Sequence, residues 1–479
     1  MRINEKEGAE GTLWRELWGA YIEATKSLWS KFPEVLAGGF YLISPYHSAF
    51  GLKTKMRNCI LFIQFIILFV LHPLKLNFTF DPCDAVIFCS STKPSIQESM
   101  LPLVARLVKR GYRCAVITSS NMYIWVADVY PKISITTIVN FRKRLTYGYN
   151  RVSSFKIFCR ALLITAILYA QIIRKHPLDF TKLLHNPLKV LYMMMMSSHK
   201  LSVAGDILRQ LKPRLMVTMQ ERLPIAAELL LSKEADKFYK ILYHYEEPMI
   251  FSAPIISQEV CVWNQTMIDE LLKVSDRTPT YTIVGSQEIS NALINTKVIS
   301  SGDKPVFLYL SQFGQLNDGF TEAPREAMSW IEYAAKECSD WYFVIKRRAF
   351  HYDVVDPGAE KLKYDNVFIP DEKMDFNLCM RWSNVAVVGS IYSMGLFTVA
   401  GIGKESFRLL VPHRTNKHPI IDEISTPVHS KEELVKLLKN FTRGKISMKD
   451  LKEDSRFPYR GQTLNRMESL CLKHLGNKV

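Results

Sequence analysis

Three cations in a row, Lys346, Arg347 and Arg348, stand directly behind the apolar run Trp341 to Ile345, with His351 a short way beyond. A buried strand that ends in cations is an arrangement that receives phosphate. A second apolar run, Asn384 to Val388, ends in Gly389-Ser390 and passes through Ser393 and Gly395 into a helix that Gly401 and Gly403 close. Small hydroxyl and glycine residues let a backbone come close to a phosphate or ribose, and a helix N-terminus adds free N–H groups and partial positive charge. The same glycines also suit any tight strand-to-helix turn. A third group offers proton transfer: Glu221 lies just past the strand pattern Arg214 to Met219, and His244, Glu246 and Glu247 close the next one, Lys240 to Tyr243. A carboxylate or imidazole at a strand end can take a proton from a hydroxyl. Equally, Glu221 can cap the helix that follows it, and the two later glutamates can pair with nearby lysines. The loop Ser90-Ser91-Thr92-Lys93 either binds phosphate or acceptor, or simply connects.

The spacing S-x-G-L-x-x-x-A-x-x-G-K, carried by Ser393, Gly395, Leu396, Ala400, Gly403 and Lys404, resembles the donor-binding half of GT-B glycosyltransferases. Within them it is most similar to transferases of bacterial capsules and surface polysaccharides, and the likeness covers roughly Asp84 to Pro412. The resemblance implies an α/β chain of two Rossmann-like domains facing a cleft. It implies a nucleotide-activated sugar as co-substrate, a glycan or lipid-linked acceptor, no metal and no separate cofactor. Donor-binding candidates by that likeness are Gln312, Lys346, Arg347, Ser390, Ser393, Gly395 and Lys404; candidates for the base are Glu221, His244 and Glu246. Lys346-Arg347 stands where several capsule-type enzymes have Lys-Pro-His-Pro, so the nucleotide stays open and no role passes to His351. The E-x7-E motif of retaining members is absent, which favours inversion. Nucleotide-sugar epimerases of the same fold carry S-G-G-x-x-E-E where this chain has Tyr392-Ser393-Met394-Gly395-Leu396, so the acids of that chemistry are missing. A non-catalytic, membrane-associated assembly protein with a degenerate GT-B shell is the alternative from another class.

At 479 residues the chain has room for about two or three domains. Sixty-two Lys and Arg against 46 Asp and Glu give a formal net charge of +16, which draws the protein to a polyanion: anionic lipid, a phosphorylated substrate or nucleic acid. No helix-turn-helix, zinc-finger or RNP-like signature supports nucleic acid. Nine cysteines, at 59, 83, 89, 114, 159, 261, 338, 379 and 471, form no C-x-x-C pair and read as reduced core residues of a cytoplasmic protein. The first 30 residues show no apolar run typical of a cleaved signal. The expected location is cytoplasmic, peripheral on the inner face of a membrane.

The elements that must position these groups fall into an N-terminal helical extension over 1–80, an acceptor domain over 81–300 and a nucleotide-sugar domain over 301–479. In the extension, Leu13, Trp14, Leu17, Trp18, Tyr21, Ile22, Leu28 and Trp29 fall at helical spacing, for packing on the protein or for a membrane interface. The apolar run Cys59 to Leu71 is 13 residues long, short of the roughly 20 needed to span a bilayer, and basic residues flank it. It suits either a buried core helix or a segment dipping into one leaflet. Residues 141–200 carry 11 Lys and Arg against the single acid Asp179, with apolar runs between, so basic groups fringe greasy helices and the region suits a membrane surface. The remainder alternates strand and helix: strands at Asp84, Tyr112, Arg214, Lys240, Glu259, Thr278, Pro305, Trp341 and Asn384, with helices from Ile96 to Lys109, over roughly 225–238, from Thr321 to Cys338 and in GQTLNRMESLCLKHL.

Overall fold

Continuous apolar runs such as AVIFC and VFLYL have no polar face, so they can only be strands covered on both sides. In the computed structural model they are buried along their whole length. The structure describes residues 21, 23–33, 35–37, 80–89, 94–120, 123–126, 151–175, 187–219, 221, 226–243, 255–274, 279–295, 304–311, 322–346, 364–370, 374, 376–388, 394–411, 419–441 and 454–476. The apolar run 59–71 and the tryptophans at 14 and 18 lie outside them.

The elements of the first half are β1 (Ala85–Cys89), α1 (Pro94–Lys109), β2 (Cys114–Ser120), β3 (Tyr123–Val126), α2 (Arg151–Lys175), α3 (Pro187–Leu211), β4 (Leu215–Thr218), α4 (Ala226–Leu231), β5 (Tyr239–Tyr243), β6 (Glu259–Val262), α5 (Gln265–Val274), β7 (Thr280–Ile283) and α6 (Gln287–Asn295). Then follow β8 (Val306–Leu310), α7 (Glu322–Glu337), β9 (Tyr342–Lys346), β10 (Val367–Phe368), α8 (Phe376–Trp382), β11 (Val385–Val388), α9 (Met394–Gly401), β12 (Glu405–Leu409), α10 (Pro419–Ile424), β13 (Thr426–Val428), α11 (Lys431–Lys439) and α12 (Thr463–Leu475). The strands form two sheets, ordered β3-β2-β1-β4-β5-β6-β7 and β10-β9-β8-β11-β12-β13. β2 pairs with β3 antiparallel, while β1 pairs parallel with β2 and β4, and β8 parallel with β9 and β11. Both orders are those of doubly wound sheets, the first reversing direction at β1/β4 and the second at β8/β11.

The helix expected over 225–238 is broken. α4 stops at Leu231, Ser232 takes an extended backbone and turns its hydroxyl onto the Leu229 carbonyl, and Lys233–Lys237 continues as a 3-10 turn. The helix of HSKEEL begins as its sequence signals, with the Ser430 hydroxyl accepting from the Glu433 N–H and the Glu433 carboxylate accepting from the His429 N–H.

Two compact units emerge. One holds the described residues up to Cys261, Leu271–Thr282 and everything from Leu464 on; the other holds Val262–Glu270 and Ile283–Thr463. In the first, α3 does double duty. Val190, Met194 and Met195 pack against Ala161, Ile164, Leu168 and Ile172 of α2 and against Tyr21, Ala24 and Val35, whereas Ala204, Ile207, Leu208 and Leu211 enter the core over the sheet. The described part of the tryptophan-rich segment therefore packs on protein, with the Tyr21 hydroxyl donating to the Val35 carbonyl. α12 is fastened to the same unit by charge and ring contacts. Glu468 accepts from Arg106 and Arg110, and His474 stacks on Tyr239 at 3.6 Å while its Nε2 lies 3.1 Å from Glu259, a buried carboxylate that also accepts from Thr282 and Tyr239. Of the cysteines described, seven are buried and free as expected; Cys159 is free but exposed, on α2.

The core of the second unit joins Phe307, Tyr309, Phe343 and Ile345 to Ile331, Ala334, Leu434 and Leu438 on one face of the sheet. Around α9, Trp263 stacks on Phe397 at 4.8 Å and Phe397 meets Phe457 at 5.0 Å. Gly285, at φ +83°, brings its Cα so close to the Pro458 carbonyl oxygen that an added Cβ would lie 2.7 Å from it. Gly401 likewise faces the buried Ile289 side chain, where an added Cβ would lie 2.2 Å from Cδ1 and 2.7 Å from Cγ1. Gly285→Ala is therefore expected to cost about 2–3 kcal/mol, combining a left-handed backbone with a carbonyl clash, and Gly401→Ala about 1–3 kcal/mol through overpacking against Ile289. Thermal and urea unfolding of the two variants beside the parent measures both losses.

Candidate functional site

Parallel register fixes where the ends of the second sheet lie. Leu310 of β8 pairs with Lys346 of β9 and with Val388 of β11, so three strands finish level at one edge, and Val388 pairs with Arg408 of β12, which runs one residue further. The carboxyl edge of a parallel sheet at its reversal point is where such folds receive ligands. The reversal here is β8/β11, and the residues that leave it are Ser311 and, next in the chain, Gln312 on one side, Gly389 and Ser390 on the other. α9 follows β11 within six residues, with Gly395 half-buried in its first turn.

Lys346 is the last residue of β9 rather than the first beyond it, and the Ser311 N–H donates to its carbonyl at 3.0 Å. Alternation along β9 sets Lys346 on the face opposite Phe343 and Ile345, and it is 7 % exposed. One expected cation thus ends a strand at the reversal edge, its stem buried. Gln312, Arg347, Ser390 and Ser393, together with His244 and Glu246, lie outside the described residues. Arg408, which motif reading passed over, shares the level edge but is paired with Asp422 of α10; the alternation in ESFRL was the signal that could have found it.

Lys404 is placed apart from that edge. α9 runs away from it, and the Lys404 ammonium, beyond the C-terminus of α9, donates to the carbonyls of Met380 and Ser383 at the end of α8. It also lines a cavity of about 710 Å³ beside the starts of β12 and β13, the opposite edge of the sheet, with Glu405, Glu423, Asp454, Arg456 and Arg460. Free carbonyls at a helix end attract a cation, which explains a half-buried lysine there.

Glu221, three residues past β4 in the first unit, is 6 % exposed. Its two oxygens accept the N–H groups of Ile256 at 2.5 Å and Ser257 at 2.7 Å. It holds the segment that enters β6. Burial pushes its carboxyl above the usual range, against the pull of those N–H groups and of Lys240. Among the described residues no cluster of three or more His, Cys, Asp or Glu could hold a metal ion.

Two reversing Rossmann-type sheets in one chain define a class of architecture, and solved structures give it a name. A protein described as a UDP-N-acetylglucosamine 2-epimerase from Listeria monocytogenes superposes with a TM-score of 0.54 at 13 % identity, over 82 % of this chain and 97 % of that one. A UDP-GlcNAc 2-epimerase from Methanocaldococcus jannaschii superposes at 0.51 and 12 % identity, over 81 % and 98 %. The calicheamicin glycosyltransferase CalG4 aligns at 0.40 and 12 % identity, over 82 % and 96 %. No protein-family model and no curated protein sequence matches the chain. The fold is GT-B.

Two outcomes are expected at these residues. Glu221→Ala leaves two buried N–H groups without acceptors and should lower stability by about 2–5 kcal/mol, with Glu221→Gln losing less, as read by urea unfolding. Burial lowers the Lys404 ammonium from 10.5 to about 8. Its folded value lies below the unfolded one, so between these pH values the unfolded chain binds the extra proton and stability rises with pH. Relative to Lys404→Met, the parent should gain on the order of 3 kcal/mol from pH 8 to pH 10.5, measured by unfolding at each pH.

Proposed function

We propose that the protein is a nucleotide-sugar-dependent glycosyltransferase, metal-independent and inverting, that adds a sugar to a glycan or lipid-linked acceptor of a surface polysaccharide or lipopolysaccharide. The observation that supports this most is the level edge at β8/β11. There Lys346 closes β9, and the chain runs on to Gln312, Arg347, Ser390, Ser393 and Gly395. Cations, hydroxyls and the N–H groups that open α9 are what a departing nucleotide phosphate needs. In the reaction the acceptor oxygen bonds to the anomeric carbon, the bond from that carbon to the phosphate oxygen breaks, and a base takes the acceptor proton. His244 and Glu246 are the foremost candidates for that base. Glu221, with both oxygens held by backbone, is the more natural positioning residue for the segment entering β6.

The epimerases share the fold, and an epimerase is the competing reaction. Its carboxylate run has no counterpart at Tyr392 to Leu396, which favours transfer.

A thermal-shift panel of nucleoside mono- and diphosphates should stabilise the protein with one of them, and Lys346→Ala, Arg347→Ala and Ser393→Ala should each weaken that nucleotide about tenfold with the fold intact. Unchanged binding in all three removes the donor site. Incubation with nucleotide sugars should then release free nucleotide with transfer or hydrolysis; conversion to an epimer instead would favour the competing reaction.

A further inference from the structure

α2 carries apolar residues on two opposite faces, yet among the described residues protein covers only one of them. Ala161, Ile164, Leu168 and Ile172 recur at helical spacing and are fully buried against α3, Tyr21, Ala24 and Val35. On the opposite side Leu162 is 41 %, Leu163 56 % and Ile173 49 % exposed, and Cys159, Ala166 and Ala170 are exposed with them. Positions 159, 162, 163, 166, 170 and 173 make one continuous stripe at 3.6-residue spacing. Of the stretch Lys156–Arg174, long and apolar enough to cross a membrane, only 28 % is buried in the protein. An apolar helix face belongs in a core or in contact with lipid, and α2 has one of its two in a core.

Charge names the occupant. α2 contains no acidic residue, and Lys156, Arg160 and Arg174 fall along one border of the stripe, with the Arg160 guanidinium above the Phe32 ring. The surrounding residues 141–200 hold 11 Lys and Arg to one acid. We propose that the outer face of α2 docks on the surface of an anionic lipid bilayer, the stripe entering the boundary between head groups and acyl chains while the basic border meets lipid phosphates. A second copy of the chain fits less well, since an antiparallel two-fold contact through this face would bring like-charged borders together. Spanning the bilayer fits less well too, because the inner face of α2 is already covered by protein. The inference does not rest on the proposed reaction, and its test involves no substrate.

Flotation of the full chain with vesicles decides it. The parent should float with vesicles of phosphatidylcholine mixed with phosphatidylglycerol, only weakly with phosphatidylcholine alone, and less as salt is raised. Leu163→Glu and Ile173→Glu, both at exposed positions and so expected to unfold at the parent's temperature, should each weaken partitioning about tenfold or more. Lys156→Ala with Arg174→Ala should weaken binding to the mixed vesicles alone. The proposal falls if the parent floats with neither vesicle, or if the glutamate variants float as the parent does. It also falls if the lipid-free protein is a dimer that Leu163→Glu splits, or if membranes retain the protein through high-salt and alkaline washes.

Discussion

Parallel register is the constraint on which the chemistry depends. A parallel strand cannot slip by one residue without turning its side chains to the other face. The pairing of Leu310 with both Lys346 and Val388 therefore fixes three strand ends to one level, and every group that leaves them starts from the same edge. Because β8 leads outward to β9 and β11 leads the other way to β12, the connections diverge from that edge. A ligand site costs the fold little there. What distinguishes the chain is which side chains occupy the edge.

Burial then sorts the cations. Lys346, Arg408 and Lys404 look alike in sequence, each beside a strand with small or apolar neighbours. Arg408 is neutralised by Asp422, and Lys404 serves the carbonyls that close α8. Both are cases of a half-buried charge kept with partners because leaving it alone would be costly. A basic protein of net charge +16 thus has fewer cations available to a ligand than its composition suggests.

The strands were legible because they are covered on both faces and so read as unbroken apolar runs, and the helices between them because Leu101, Val104 and Leu107 recur at the right spacing. The double Rossmann architecture was what the GT-B resemblance implied, and the alternation agreed with it. Three features were not legible, for different reasons. What holds the Glu221 carboxylate was not, because its partners, Ile256 and Ser257, lie some 35 residues away, beyond any local pattern. Lys404 sits within a motif yet answers to α8, on which the motif is silent. The helix after β4 was drawn too long because LLLSKEAD has helical propensity throughout, and only the competition of the Ser232 hydroxyl for a backbone carbonyl breaks it.

The fastening of α12 to the first sheet bears on biosynthesis. Glu259, Tyr239 and Arg106 are translated long before Glu468 and His474, and the whole β8-to-β13 sheet emerges from the ribosome between them. Until the last helix arrives, the earlier half must wait with a carboxylate lacking its imidazole partner and with Arg106 and Arg110 lacking theirs. The later sheet can close first, so the order of completion along the nascent chain is reversed relative to the order of synthesis.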